Sequence, residues 1–281
     1  DASADASWEA NRHRDRAGYA AVAAITCLVG ISWLRLVDLP FGDNHAGRVH
    51  ARYALHVRNL YERGPIGSRL GAEWAPYHSE PYAHHPPLLN IADAVFGLWP
   101  GDGEFQVRVA PFLLALAAIP AGAALLRLLG MSWTATLLSV GAFASTGFYW
   151  VYGHVMFDLG PILILAACVA YLRTATQPTR AVVAATALSA LLTTLASWPG
   201  IAFAGALIAW LFVARRDQAA TIVAAAGGVG LLISLGFMVG VHGVGVLADQ
   251  TEFRTNGGTF TVEQFGRQIM RYLRNLLPDW Y

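Results

Sequence analysis

The chain has 281 residues, 56% of them hydrophobic and only 13% charged, with a formal net charge of +1. A soluble domain carries about 25% charged residues, so the composition excludes an ordinary water-soluble globule, and the near-zero charge speaks against a nucleic-acid partner. All 19 basic residues are Arg, and the two cysteines, Cys27 and Cys168, lie inside apolar runs, which offers neither a disulfide framework nor a zinc motif.

In chain order, residues 1–16 carry Arg12, Arg14 and Arg16 and read as a short cytoplasmic tail. Apolar segments follow at 17–37, 108–127, 133–151, 156–172, 181–197, 199–214 and 219–242. They predict an all-α, polytopic transmembrane helix bundle of about seven spans, occupying 17–242. The first segment is too long for a signal-peptide core, and no small-residue cleavage site follows it, so an uncleaved signal anchor is expected. The apolar stretch from 181 to 214 is too long for one span, and Trp198-Pro199 divides it, because Pro cannot continue a helix without losing a hydrogen bond.

Orientation follows from arginine in the short loops. Arg127, Arg173, Arg180, Arg215 and Arg216 share the side of the N-terminus, whereas the connections near 152–155 and 198 contain none. The N-terminus is therefore expected in the cytoplasm of a bacterial inner-membrane protein, with 38–107 and 243–281 on the extracytoplasmic face.

The first outer segment holds two amphipathic patterns. Val49, Tyr53, Val57, Leu60 and Tyr61 predict a helix over 48–62, and Leu88, Ile91, Ala92, Val95, Phe96 and Trp99 predict another over 87–99. Residues 64–87 between them read as loop. A third pattern, Val262, Phe265, Ile269, Leu273 and Leu276, predicts a helix over 261–276, opened by Thr261 and Gln264 as a weak capping box. All three are too short to span and are expected to lie in the membrane interface against lipid. In His84-His85-Pro86-Pro87 the prolines suit a helix start, and the histidines are expected to face the space that the outer segment covers. "GGVG" at 227–230 and the spaced pair Gly236 and Gly240 read as helix-packing positions.

An outer loop opening on an acid in "FGDNHAG", then "ARYALHVRNLYERG", "HHPPLLNIADAVFG" and "FQVRVAPFLLALAAIPAGAALLRLLG", together resemble the GT-C class of membrane glycosyltransferases. The likeness is to the protein O-mannosyltransferase and aminoarabinose-transferase relatives and covers essentially the whole chain. It implies that Asp43 stands for the catalytic loop acid, that Arg108 matches the arginine opening the second span, and that Asp158 in "GHVMFDLGP" matches a family acid. It also implies that further spans follow residue 281 in the complete protein.

The expected chemistry is inverting transfer of a sugar from a polyprenyl-phosphate donor to an acceptor hydroxyl, on a face that cytoplasmic nucleotide sugars do not reach. Asp43 would take the acceptor proton, and His85 would line the same cavity. The departing lipid phosphate needs positive charge, for which Arg58, Arg267 and Arg271 are candidates through bidentate geometry. A divalent metal ion held by Asp43, His45 and Asp158 is the other way to supply it. A second reading is a non-catalytic subunit of the same fold working with partner subunits in a membrane complex, favoured by Asn44 beside Asp43. A transporter is the third, but it calls for charges at mid-span and leaves the amphipathic outer segments unexplained.

Overall fold

A computed structural model describes residues 2–37, 40, 45–73, 81, 85–96, 103–147, 149 and 157–245. Every regular element among them is a helix: α1 Ala2–Val37, α2 His45–Gly67, α3 Leu88–Phe96, α4 Gly103–Leu116, α5 Ala118–Leu128, α6 Trp133–Ser145, α7 Leu159–Thr174, α8 Arg180–Ala196, α9 Trp198–Ala214 and α10 Gln218–His242. The predicted 261–276 helix lies outside the described residues.

Residues 2–16, within the stretch read as a tail, are helical and form the start of α1, which runs unbroken from Ala2 into the apolar segment. Local propensity explains this: neither Pro nor Gly occurs before Gly18, and Ala, Glu and Arg are good helix formers. Between α4 and α5, Pro120 has no N–H to offer the Leu116 carbonyl, and the helix falters at Ala117. The ladder resumes at once, with Ala117 donating to Leu113 (3.0 Å) and Ala121 to Ala117 (3.1 Å).

Three helical runs are long and apolar enough to cross a membrane: Asp15–Arg35, Val107–Leu128 and Gln218–His242. The other four apolar helices, α6 to α9, have 13, 16, 17 and 17 residues, short of the roughly 20 that a span needs. The break expected at Trp198-Pro199 is present one residue earlier. Ser197 is extended (φ −161°, ψ 166°), its Oγ accepts the Gly200 N–H, and Pro199 occupies the first turn of α9, where its missing N–H has no helical partner to lose.

The helices form two packed groups. In the first, Trp33 of α1 meets Phe112 of α4 edge-on at 5.8 Å and Tyr149 at 5.0 Å, and the Tyr149 hydroxyl donates to the Ala115 carbonyl at 2.9 Å. In the second, Leu165, Val169 and Leu172 of α7 pack with Ala190 of α8, Leu211 of α9 and Val223 of α10. The groups join where α7 lies along α4 and α5, with Gly160 against the Leu114 backbone and Gly122 beside Leu163. Small residues also bring α10 onto α8, where Gly230 faces Thr194 and Ser234 Oγ donates to the Thr194 carbonyl at 2.9 Å. Gly227 and Gly230 therefore make the close approach. Gly236 and Gly240, expected to do so from their spacing, have nothing among the described residues within 4 Å of where a Cβ would sit.

The arginine-bearing helix ends gather at one end of the bundle. Arg127 pairs with Asp15 at 3.6 Å and lies over the Trp133 ring, while Arg215 Nη1 donates to the carbonyls of Leu172 (2.6 Å) and Ala175 (3.0 Å). Leu28, Leu138, Leu188, Val213 and Leu232 are all more than half exposed on the outside. An apolar exterior around an apolar interior is what a lipid solvent favours and water does not.

Candidate functional site

The opposite end of the bundle is covered by the segment from α2 to α3. At Gly64 (φ 70°, ψ 174°), followed by Pro65, α2 kinks, and the chain then folds into a tight turn. Ser68 Oγ donates to the Gly64 carbonyl at 2.7 Å and accepts the Gly71 N–H at 3.0 Å. Gly71 has φ +80° and passes so close that a Cβ would lie 3.1 Å from the His56 carbonyl oxygen. Leu70 and Ala72 then pack on Trp198, Phe237 and Met238, and Arg69 Nη1 donates to the Val241 carbonyl at 3.3 Å. This turn seats the end of α2 on the ends of α9 and α10.

The prolines do start α3. Pro86 and Pro87 are buried, and the Pro87 carbonyl accepts the Ile91 N–H at 3.1 Å as the first helical bond. Leu88 packs with Leu195 and Ala196 of α8 and with Phe157, which brings α3 beside the Asp158 corner. The Tyr61 hydroxyl donates to the Ala94 carbonyl and ties α2 to α3.

α3 presents its polar face to the protein. Asn90 and Asp93 are buried at 7% and 0% exposure, while Ile91 and Val95 are exposed at 40% and 60%. Ile91 and Val95 of the expected stripe point away from the protein. An apolar outer face is favourable when the surroundings are lipid, and it leaves the polar groups to find partners inside.

A buried polar layer results, drawn from α2 (His50, His56, Asn59), α3 (Asn90, Asp93) and α4 (Arg108). Asn90 Nδ2 donates to the Leu70 carbonyl at 3.2 Å, so its Oδ1 accepts from His56 Nδ1–H at 3.3 Å, which sets the imidazole tautomer. Burial pushes His56 down to about 4, against the Asn90 bond and with help from the Arg52 charge, so the ring is neutral at pH 7. Asn59 Nδ2 donates to the Glu73 carbonyl at 2.7 Å. Arg108 is 6% exposed, and its Nη2 reaches the Pro40 carbonyl at 3.5 Å.

Asp93 is the outlier. Among the described residues neither carboxyl oxygen has a hydrogen-bond partner, and burial raises the group well above the usual carboxylate range. A buried carboxyl without a partner or counter-charge avoids ionising, because the charged form bears the larger desolvation penalty.

Asp158, nominated from sequence, immediately precedes α7 at this end, where its Oδ2 accepts the Ser197 Oγ–H at 2.8 Å. Ser197 thus serves two neighbours from 6% exposure. Ser197→Ala should lower stability by about 1–2 kcal/mol, the usual loss of a helix cap plus a buried hydrogen bond, and denaturant unfolding in detergent measures it. His85 is half-buried just before α3. Arg58 is turned away from the layer, 67% exposed, with its Nε donating to Glu62 at 2.7 Å. Asp43, Arg267 and Arg271, and the side chain of His45, lie outside the described residues. Of the three side chains considered for a metal, Asp158 alone is described, and among the described residues no three of His, Cys, Asp and Glu converge as ligands.

None of His56, Asn90 and Asp93 was nominated from the sequence. The available signal was that Asn90 and Asp93 are the only polar residues of "LLNIADAVF" and, at i and i+3, share one face. Comparison with protein-family models, curated proteins and solved structures finds no match to this chain.

Proposed function

We propose that this chain is a GT-C-like membrane glycosyltransferase module. It moves a sugar from a polyprenyl-phosphate donor to an acceptor hydroxyl at the extracytoplasmic end of the bundle. The observation that carries the reading is the buried polar layer of His56, Asn90, Asp93 and Arg108 at one end of an otherwise apolar bundle. Polar groups in such a setting are costly, and a chain retains them where they hold or transform a ligand. In this reading α1, the α4–α5 run and α6 to α10 make seven crossings, with the bilayer thinned locally around the shorter α6 to α9, the arginine-bearing end faces the cytoplasm, and α2 and α3 lie along the outer interface.

The acceptor oxygen attacks the anomeric carbon as the bond from that carbon to the phosphate oxygen breaks. Asp43 takes the acceptor proton, polyprenyl phosphate departs with the bonding pair, and the anomeric centre inverts. Buried Arg108 is better placed than exposed Arg58 to meet the phosphate charge, since a partly desolvated guanidinium binds an anion more strongly than one in water. Arg267 and Arg271 remain candidates for the same task.

The test is release of polyprenyl phosphate from polyprenyl-phosphate mannose and polyprenyl-phosphate aminoarabinose by the full chain in proteoliposomes. Turnover is expected, and Asp43→Asn should lower it about 100-fold or more, the usual loss for a catalytic base. Absence of turnover by a folded, membrane-inserted chain would overturn the enzyme reading. The second reading, a non-catalytic subunit, is favoured by one observation: Asp158 is engaged by Ser197 in a helix-corner bond that serves structure by itself.

A further inference from the structure

A groove of about 520 Å³ opens between the first turns of α8 and α10, at the end of the bundle opposite the polar layer. We propose that it binds an anionic membrane lipid, holding the headgroup phosphate at Arg180 and the start of the acyl region along Val183 and Ile222. The inference rests on the reading that the bundle crosses a membrane, but not on sugar transfer.

Charge comes first. Arg180 and Arg215 both line the groove, together with Asp217. Arg215 is fully engaged: its Nη1 donates to two carbonyls, and its Nε and Nη2 donate to Asp217 Oδ2. Asp217 also accepts the Ala220 N–H at 3.1 Å as the cap of α10, so its charge is met within the protein. Arg180 is exposed and makes no hydrogen bond or ion pair among the described residues, which leaves its guanidinium as the uncompensated charge at the mouth. The helices that begin here, 17 and 25 residues long, direct the positive ends of their dipoles toward the same space.

The polarity gradient then selects the ligand. One turn in from Arg180 and Asp217, the lining becomes Val183, Ala219 and Ile222, with Ile222 41% exposed. A free phosphate would use only the mouth, whereas a phospholipid matches both parts, its headgroup at the arginine and its chain on the aliphatic wall. Basic pockets between transmembrane helices on the cytoplasmic side are suited to such headgroups.

Native mass spectrometry of the purified full chain tests this, with phosphatidylglycerol, phosphatidylcholine of the same acyl chains, and inorganic phosphate as probes. Phosphatidylglycerol should be retained in preference to phosphatidylcholine, and millimolar phosphate should not displace it. Arg180→Ala should cut retention about fivefold, the fold-change for roughly 1 kcal/mol per basic residue near the headgroups. Arg180→Lys should restore most of it, and Ile222→Trp, which fills the apolar wall, should lower it independently. Equal retention of phosphatidylcholine, or an unchanged Arg180→Ala, overturns the proposal. Displacement by inorganic phosphate overturns the lipid assignment in favour of a free anion. Recovery of the chain outside the membrane fraction would instead defeat the membrane reading beneath it.

Discussion

Replacing Asp93 with Asn should abolish a loss of stability that the wild-type chain undergoes as pH rises above the ordinary carboxylate range. The buried Asp93 carboxyl titrates well above its ordinary 3.8. Between that value and its raised folded value, the folded chain therefore holds a proton that the unfolded chain has released. Stability is then full below about 4 and falls as pH rises, by up to about 1.4 kcal/mol per unit. His56 acts oppositely. Its folded value is depressed from 6.5 to about 4, so the unfolded chain binds the extra proton in that window. Its contribution is present above 6.5 and is lost as pH falls toward 4, on the order of 3 kcal/mol in total.

The two slopes oppose each other above about 4, and the His56 slope ends at 6.5. Wild-type stability should therefore rise less steeply through the acid window than that of the Asp93→Asn chain. Asp93→Asn should rise through the acid window and stay flat above, while His56→Asn should decline from about 4 upward. Denaturant midpoints of the three chains in one detergent, read across pH, decide this. Wild type and Asp93→Asn running parallel at all pH values would show that Asp93 is not held neutral by burial.

What could be read from the sequence, and what could not, divides along one physical line. Apolar run lengths and arginine positions depend on transfer of whole segments into an apolar medium, and they located the helical segments and the end of the bundle at which Arg127, Arg173 and Arg215 gather. Pro87 and Pro199 acted locally, through a missing N–H, so the start of α3 and the break before α9 were legible. The full burial of Asn90 and Asp93 on the other face of α3 was not. A period of 3.6 shows that two faces differ, but in a chain with lipid outside, the apolar face is free to point outward. Ile91 and Val95 do so, and this is why Asp93 went unnoticed.

Partners distant in sequence were hidden for a related reason. Asp158 could be nominated because an acid near an apolar segment is expensive, but its donor Ser197 lies 39 residues on and is brought there by the packing of α7 against α8 and α9. Arg58 was read from the sequence as a candidate for the donor phosphate, and the structure instead pairs it with its i+4 neighbour Glu62 on an exposed face of α2. Glycine position was a partial guide: of the two sets read as packing positions, Gly227 and Gly230 of "GGVG" do meet neighbours, whereas Gly236 has none within 4 Å among the described residues, because the close approach is set by the crossing point of two helices.

Gly160→Ala should be among the most damaging single-methyl additions to this bundle. A Cβ at residue 160 would sit 1.8 Å from the Leu114 carbonyl oxygen and 2.8 Å from its carbon. Both are backbone atoms, so no rotamer change relieves the clash, and α7 must move away from α4. That contact is part of the joint between the two helix groups, so displacement there also disturbs the packing of Gly122 on Leu163 one turn further along. Overpacking ordinarily removes about 1–3 kcal/mol, and a backbone clash places this one at or above the upper figure. Gly205→Ala in α9 is the matched control. Nothing lies within 4 Å of its Cβ position, and replacing a helical Gly with Ala there should stabilise by about 0.5–1 kcal/mol. Thermal unfolding of both variants in one detergent should give shifts of opposite sign. A Gly160→Ala chain as stable as wild type would mean that α4 and α7 do not meet at this point, and the joint between the two helix groups would have to be drawn elsewhere.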